Sequence, residues 1–510
     1  MNRGNGEAVN QKKIVFEVSP EFLDNDVRSL FMAFYPGALI VRAGAQEAAK
    51  AAADPSSDRP ADLTADVKLE PIENVSAAVS IRLSDESGTE ECQSAPVSDP
   101  DDRKDIRTVC KCLLYRMLEA KNGRSLPWGT LTGIRPTKIA RTMLMEGSSE
   151  EEAVRYMEDE MLCSPEKTQL SLDIAKREIR LLKGLDYEDG YSLYIGIPFC
   201  PTTCAYCSFT SYPISRFAKQ VDEYLDAVER EVILTAELFA GKKLNTIYFG
   251  GGTPTTLEPE QLDRLCTMIE EHFDLTNVRE WTVEAGRPDS ITADKLRVLK
   301  KHPVTRISIN PQTMKEETLK LIGRRHTVAQ IRDAFAMARE LGFNNINMDI
   351  IVGLPDETPE DVEHTLQEIA KLGPDSLTVH SLAIKRAARL NIQKEDFANS
   401  QSVNSESLME LTAEYAAKMG LLPYYLYRQK NMTGNLENVG YAREGLEGIY
   451  NILIMEEVQS IVALGAGAVT KALFENGRIE RCENVKDIKT YLEKTDEMLD
   501  RKRRLFAKTE

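Results

Sequence analysis

Between residues 190 and 385 the chain repeats one rhythm: an apolar run, a loop, then an amphipathic helical pattern. The runs are "YSLYIGIP", "NTIYFGGG", "EWTVEAG", "TRISIN", "INMDIIVGLP" and "SLTVHSLA". Strands that are apolar almost throughout are buried on both faces, and strands separated by helices run parallel, because only a long crossover returns the chain in the same direction. Six such units in about 195 residues predict an α/β fold built on an open (β/α)6 partial barrel rather than a closed eightfold one. A doubly wound open sheet is the alternative. The polar residues argue against it, since they fall at strand ends, where a barrel places its chemistry.

At 510 residues the chain exceeds what one core supports, so further domains are expected around the barrel at 186–385. Residues 1–185 read as an N-terminal α/β domain: strand "KIVFEV", a helix over about 21–34, strand "ALIVRAG", and helical patterns from "IRTVCKCLLYRMLEAK" onward. Inside it, about 46–104 is an acidic insertion expected to be flexible. Two short strands, "VKLEP" and "AAVSIRLS", are predicted there, and "DESGTEECQSAPVSDPDD" is predicted to be a mobile loop. Residues 386–510 are expected to form a smaller C-terminal α+β module that covers the substrate at the barrel mouth.

The net charge of −17 disfavours nucleic acid and anionic membrane as partners. No stretch approaches the ~18 apolar residues of a membrane span, and "MNRGNGEAVNQKK" lacks a signal region, so a cytoplasmic location is expected. Nine scattered cysteines then read as reduced thiols rather than a disulfide framework.

Three of those cysteines stand apart. In "IGIPFCPTTCAYCSF", Cys200, Cys204 and Cys207 are spaced C-x3-C-x2-C on one loop. Three thiolates can hold three corners of a [4Fe-4S] cluster and leave one iron open. A closed zinc site needs a fourth ligand, which no second Cys or His pair supplies. Inert core thiols are the third alternative, ill suited to a loop. "GGGTP" (250–254) ends the second strand, where backbone without side chains approaches a ligand closely; alone it would be a tight turn. Glu284, Gln312 and Asp349 lie at or just past later strands, and Arg324 opens "GRRHT". A carboxylate among apolar residues needs a partner. Structural alternatives are an ion pair of Asp349 with Arg324 or Arg306, and a helix-capping role for Glu284.

The cysteine loop resembles the signature of the radical S-adenosylmethionine (SAM) superfamily, C-x3-C-x-aromatic-C, with Tyr206 as the aromatic residue. That resemblance implies a [4Fe-4S] cluster on the three cysteines, SAM on the open iron, and reductive cleavage of SAM to a 5′-deoxyadenosyl radical. The order "YIGIPFC", "FGGGTP", then Glu, Gln, Arg and Asp is similar to that of the oxygen-independent coproporphyrinogen III oxidases. By that resemblance Tyr194, Gly251, Glu284 and Val469 serve the cluster-bound SAM. Gly252, Thr253, Tyr206, Gln312, Arg324, Asp349 and Ala383 line a space for a second SAM or for substrate. "LPWGTLTGIRPTKIA" (126–140) and "YRQKNMTGNLENVGY" (427–441) resemble stretches of the HemZ-type coproporphyrinogen dehydrogenases.

The resemblance implies an oxidoreductase of porphyrin biosynthesis that decarboxylates coproporphyrinogen III to protoporphyrinogen IX. Its partners would be a flavodoxin- or ferredoxin-type electron donor and an electron acceptor. A tetra-carboxylate substrate needs cations, for which Arg386, Arg389, Arg428 and Lys430 are candidates. Two positions depart from the oxidase pattern: no cysteine follows in C-x-C register after Cys207, where Ser208 stands next, and Gly196 replaces a histidine. Haem-binding chaperones and haem-ring-opening enzymes of the same branch share much of the pattern and are the alternatives. "LGAGAV" (464–469) fails as a dinucleotide fingerprint at Thr470, and "DRKRR" (500–504) reads as the solvated end of the last helix.

Overall fold

The computed structural model describes residues 12–44, 60–72, 75–133, 135–382, 405–428 and 436–507. The chain divides into two compact units, Met1–Leu172 with Arg428–Leu436, and Asp173–Tyr427 with Glu437–Glu510.

The first unit is built on a five-stranded sheet. Its strands are β1 (Lys13–Ser19), β2 (Leu39–Arg42), β3 (Leu63–Ile72), β4 (Val75–Asp85) and β5 (Glu90–Pro96), in the order β2-β1-β3-β4-β5. The helices Asp24–Phe34 and Arg103–Asn122 share one core with it, joining Leu30, Phe31, Leu114 and Met117 to Phe16, Val67 and Ile81. The acidic stretch expected to be a mobile loop is partly a strand: β5 pairs antiparallel with β4 from Ala78↔Pro96 to Ser84↔Glu90. The sequence hid it because β5 is an edge strand, and edge strands carry charge that blocks further pairing.

The second unit holds an eleven-stranded sheet. Six strands follow one another in parallel: β6 (Gly190–Ile197), β9 (Lys243–Gly251), β10 (Glu280–Glu284), β11 (Arg306–Ser308), β12 (Ile346–Val352) and β13 (Ser376–Ser381). Helices alternate with them, several opened by capping boxes such as Thr327 with Gln330 and Thr358 with Asp361. This is the expected open (β/α)6 partial barrel. Between β6 and β9 lie two-residue strands β7 (Phe199–Cys200) and β8 (Tyr212–Pro213), paired with each other.

The segment after the barrel is continuous with this sheet. Beyond β13 come β15 (Asn438–Ala442) and β14 (Leu422–Tyr427), both antiparallel; beyond β6 come β16 (Ser460–Leu464), parallel to it, then β17 (Val469–Leu473) and β18 (Ile479–Glu483). The first boundary also lies earlier than about 185. Arg177 forms a buried pair with Glu447 (2.7 Å) and donates to the carbonyls of Leu422 and Ala442, which ties its helix to β14 and β15.

"DRKRR" is not simply solvated. Lys502, on the helix Thr495–Phe506, is wholly buried against the wholly buried Glu231 of the helix Val221–Leu238. Glu231 also accepts from Tyr491, from Asn484 (2.9 Å) and from the Gly465 backbone (2.9 Å). Burial would raise its carboxyl, yet Lys502 and these donors hold it below the usual range. The network fixes the 464–469 loop, where Gly465 has φ +98° and an added Cβ would meet the Gly196 carbonyl at 2.4 Å.

Candidate active site

The cysteine loop leaves the barrel at the end of β6. Phe199, buried against Tyr224 and Phe217, anchors its start, and the β7–β8 pairing closes it. Cys207 N–H donates to the Cys204 carbonyl (3.2 Å), turning the chain between the two thiols. The 322–324 segment holds the loop from one side: Ala205 N–H donates to Ile322 (2.9 Å) and Thr202 Oγ1 to Gly323 (2.9 Å). "GGGTP" holds it from another, since Gly252 and Thr253 N–H donate to the carbonyls of Ile197 and Phe199, each at 2.7 Å. A Cβ at Gly252 would sit 2.6 Å from the Phe199 carbonyl, so only glycine permits this approach.

Polar groups surround the sulfurs. Thr253 Oγ1 donates to Cys200 Sγ (3.5 Å), and Arg287 Nη1 lies 3.6 Å from Cys204 Sγ while also donating to the Thr202 carbonyl (3.1 Å). Arg287 is itself fixed by Asp289 (2.9 Å). Arg324 donates to Tyr206 Oη (3.3 Å) and to the carbonyls of Gly286 and Asn310. Burial pushes the Cys200 thiol up to about 11, with Cys204 and Cys207 adding repulsion against the help of Thr253 and Arg287. Burial raises Cys207 as well.

Beside the loop opens a cavity of about 640 Å³ lined by all six barrel strands and by Ser208, Phe209 and Thr210. The strands are buried almost throughout, and their half-buried inner positions are cavity residues: Tyr194, Tyr248, Glu284, Asp349 and His380. Tyr248 Oη donates to Glu284 Oε1 (2.5 Å), and the rings of Tyr194, Tyr248 and Tyr450 stack alongside. Burial pushes the Glu284 carboxyl up to about 7, against the Tyr248 hydroxyl and Arg306; the nearby Asp349 charge adds to the rise. Asp349 goes the other way. Burial opposes its charge, but His380 Nε2 at 3.8 Å and the Asn347 amide at 2.6 Å hold it below the usual range.

Of the residues singled out in the sequence, Tyr194, Gly251, Glu284, Asp349 and Val469 line this cavity. Thr253 supports Cys200, Gly252 N–H donates to the Ile197 carbonyl before the loop, and Tyr206, on the loop, accepts from Arg324. Gln312 is buried at φ +66° with Oε1 unpartnered among the described residues. Ala383, Arg386, Arg389 and Lys430 lie outside the described residues.

Two structural alternatives and one candidate are corrected. Asp349 forms its ion pair with His380 rather than with Arg324 or Arg306. Glu284 caps no helix; Tyr248 is its partner. Arg428 belongs to the first unit, buried, donating to the Leu131 carbonyl with Trp128 beneath its guanidinium. Sequence reasoning passed over Arg287, three residues beyond Glu284, and His380, a polar residue at the end of the sixth strand. Arg306, which it treated only as an ion-pair partner, reaches the cavity with Nε unpartnered among the described residues.

Residues 194–369 match the family described as the Radical SAM superfamily. Over 415 residues, 80% of this chain and 83% of the relative, the sequence is 43% identical to the oxygen-independent coproporphyrinogen-III oxidase-like protein HemZ of Bacillus subtilis strain 168. The chain belongs to the radical SAM superfamily, in its HemZ-type branch. This radical SAM chain is also 34% identical to the heme chaperone HemW of the same organism, over 54% of its length and 70% of that protein. Its structure resembles that of coproporphyrinogen III oxidase (HemN) from Escherichia coli, with a TM-score of 0.50 and 25% identity, covering 66% of this chain and 74% of the other.

The cofactors of a radical SAM protein are a [4Fe-4S] cluster and SAM. The cysteine loop fits the cluster: buried and half-buried thiols that repel one another as anions are stabilised by binding a metal centre, with a hydroxyl donor at Cys200 and a guanidinium at Cys204. Among the described residues no group of three or more Cys, His, Asp or Glu side chains is arranged for a metal ion. No described helix is long and apolar enough to cross a membrane.

Proposed function

We propose that this chain decarboxylates two propionate side chains of coproporphyrinogen III to vinyl groups, giving protoporphyrinogen IX without oxygen. The observation that carries the proposal is the cavity itself, whose wall is formed jointly by the cysteine loop and all six barrel strands. Its HemZ-type membership supplies the substrate class.

Cys200, Cys204 and Cys207 would hold the cluster, with SAM bound beside it. When bound and reduced, that centre would supply the electron for splitting SAM into methionine and a 5′-deoxyadenosyl radical; each propionate would then lose a hydrogen atom to such a radical, its carboxylate as CO2, and one electron to the external acceptor. The protein's own groups position the reactants. Glu284 receives the SAM ammonium, the Gly251–Thr253 backbone lets SAM approach, and the tyrosine stack shields that side from water. Asp349, kept ionised by His380 and Asn347, presents an acceptor to the second ligand, and Arg306 presents a cation to a carboxylate. Arg287 and Arg324 fix the loop that sets these distances.

The role of Glu284 gives a pH prediction. Its carboxyl is protonated below about 7 in the free protein, and only the ionised form pairs with an ammonium. SAM affinity should therefore fall roughly tenfold per pH unit as pH drops below about 7, with one proton released on binding there. Calorimetry in two buffers of different ionisation heat measures both. A flat profile in the wild type, or one unchanged in Glu284→Gln, would remove this role.

The reaction itself is tested by oxygen-free incubation of cluster-loaded protein with SAM, a reductant and coproporphyrinogen III. Deoxyadenosine and protoporphyrinogen should rise together in the mass spectrum; deoxyadenosine without porphyrin change would refute the substrate. A second reading, haem binding, is favoured by His380, an imidazole with a carboxylate partner facing a tyrosine-rich cavity. Tight haem binding lost in His380→Ala, together with absent SAM turnover, would put that reading first.

A further inference from the structure

The cysteine loop has a second side. Pro201, Thr202 and Thr203 form, with Gly323, the floor of another depression of about 670 Å³, which shares no lining residue with the main cavity. Its rim carries Arg216, Lys320 and Arg325, all exposed, and Arg324 lies buried at its base. No carboxylate is among the described residues lining it, and none of the three exposed cations forms an ion pair with a described residue. In a chain with 81 acidic and 64 basic residues, such a cluster runs against the prevailing charge. Among the described residues the three exposed cations have no structural partner to explain them.

The floor is thin. Thr203 is bonded to Cys204, so their Cα atoms are ~3.8 Å apart. Thr202 Oγ1 donates to the Gly323 carbonyl (2.9 Å), and a Cβ on Gly323 would already press on the Thr203 carbonyl at 3.3 Å. One residue of backbone therefore separates solvent from the Cys204 side of the loop. The main cavity is lined by later residues of the loop, Ser208–Thr210.

We propose that this depression is the docking surface for a small acidic electron-carrier protein bearing a reduced flavin. The inference rests on reading Cys200, Cys204 and Cys207 as the cluster ligands. The carrier gives up one electron through the Thr203–Cys204 segment, the centre on the cysteines gains it, and no bond or proton moves. Arg216, Lys320 and Arg325 steer and orient the carrier by charge, while substrate enters elsewhere. A nucleic acid is disfavoured by the −17 charge of the whole chain.

The test uses cluster-loaded full-length protein and an FMN-containing bacterial flavodoxin as the probe. Titration calorimetry should give an affinity that weakens with added salt, and that falls by at least about tenfold in the charge-reversed R216E/K320E/R325E variant. Flavodoxin-driven deoxyadenosine formation should fall with it, while dithionite-driven formation stays at the wild-type level. The triple alanine variant, with an intermediate loss and an unchanged melting temperature, guards against a folding effect of the reversals. Equal flavodoxin affinity in wild type and both variants would overturn the docking surface, as would displacement of flavodoxin by millimolar phosphate alone, which would assign the cations to a small anion. Absence of dithionite-driven SAM cleavage in the wild type would instead overturn the cluster reading on which the surface depends.

Discussion

Reconstituted with iron and sulfide without oxygen, Cys204→Ala will lose its iron–sulfur absorption and bind well under the about four iron atoms of the intact centre. Deoxyadenosine formation will fall by more than ~100-fold, beyond what removal of an outer-shell partner costs a metal site. The loss will not reflect unfolding. Arg287, which faces Cys204 Sγ, keeps Asp289 and the Thr202 carbonyl, so the loop retains its supports. Cys266→Ala is the matching control. That thiol is fully buried on the helix Pro259–His272 and raised by burial, and its removal should cost about 1 kcal/mol with iron content and turnover intact. If Cys204→Ala kept the wild-type iron content, the three-cysteine ligand set would be wrong.

The second large effect lies far from the sulfurs. Lys502→Met strips the wholly buried Glu231 of its counter-charge and should destabilise the protein by about 3–5 kcal/mol, read as a lowered urea midpoint. The double variant Glu231→Leu/Lys502→Met should recover most of that loss, because a buried pair replaced by apolar groups costs little. Glu231 is held below its ordinary 4.5, so its stabilising contribution is present above that pH and disappears only as pH falls through the lower folded value. SAM affinity should weaken in the single variant too, since Glu231 accepts from the backbone of Gly465, and Ala466–Val469 line the cavity. Unchanged stability in Lys502→Met would mean that the lysine is exchanged for water in solution.

The barrel was legible because burial on both faces demands apolar residues at nearly every strand position, and so each polar interruption marked the cavity. Glu284 and Asp349 were found that way, although their partners were not. Tyr248 and His380 reach them across neighbouring strands, and pairing across a sheet leaves no trace in local spacing. Lys502 was legible in principle. Met498, Leu499 and Leu505 lie four and three residues before it and three after, so a 3.6-residue period puts the lysine on their buried face; the surrounding basic run masked this. Arg428 was misassigned to the substrate because 297 positions separate it from Leu131, its partner in the first unit. The strand β5 was missed because its stability comes from backbone pairing and its side chains face water.

The sheet that continues past the barrel at both edges determines how the cavity exchanges its contents. β16 is hydrogen-bonded to β6 from Ser460 to Leu464, and β15 to β13 from Asn438's neighbour Val439 to Ala442. The walls that hold the sulfurs, the carboxylates and the later segments are thus one woven fabric with no seam between them. Swinging either flank outward would tear a row of main-chain bonds, so the vessel keeps its bore, and cargo passes over the rim.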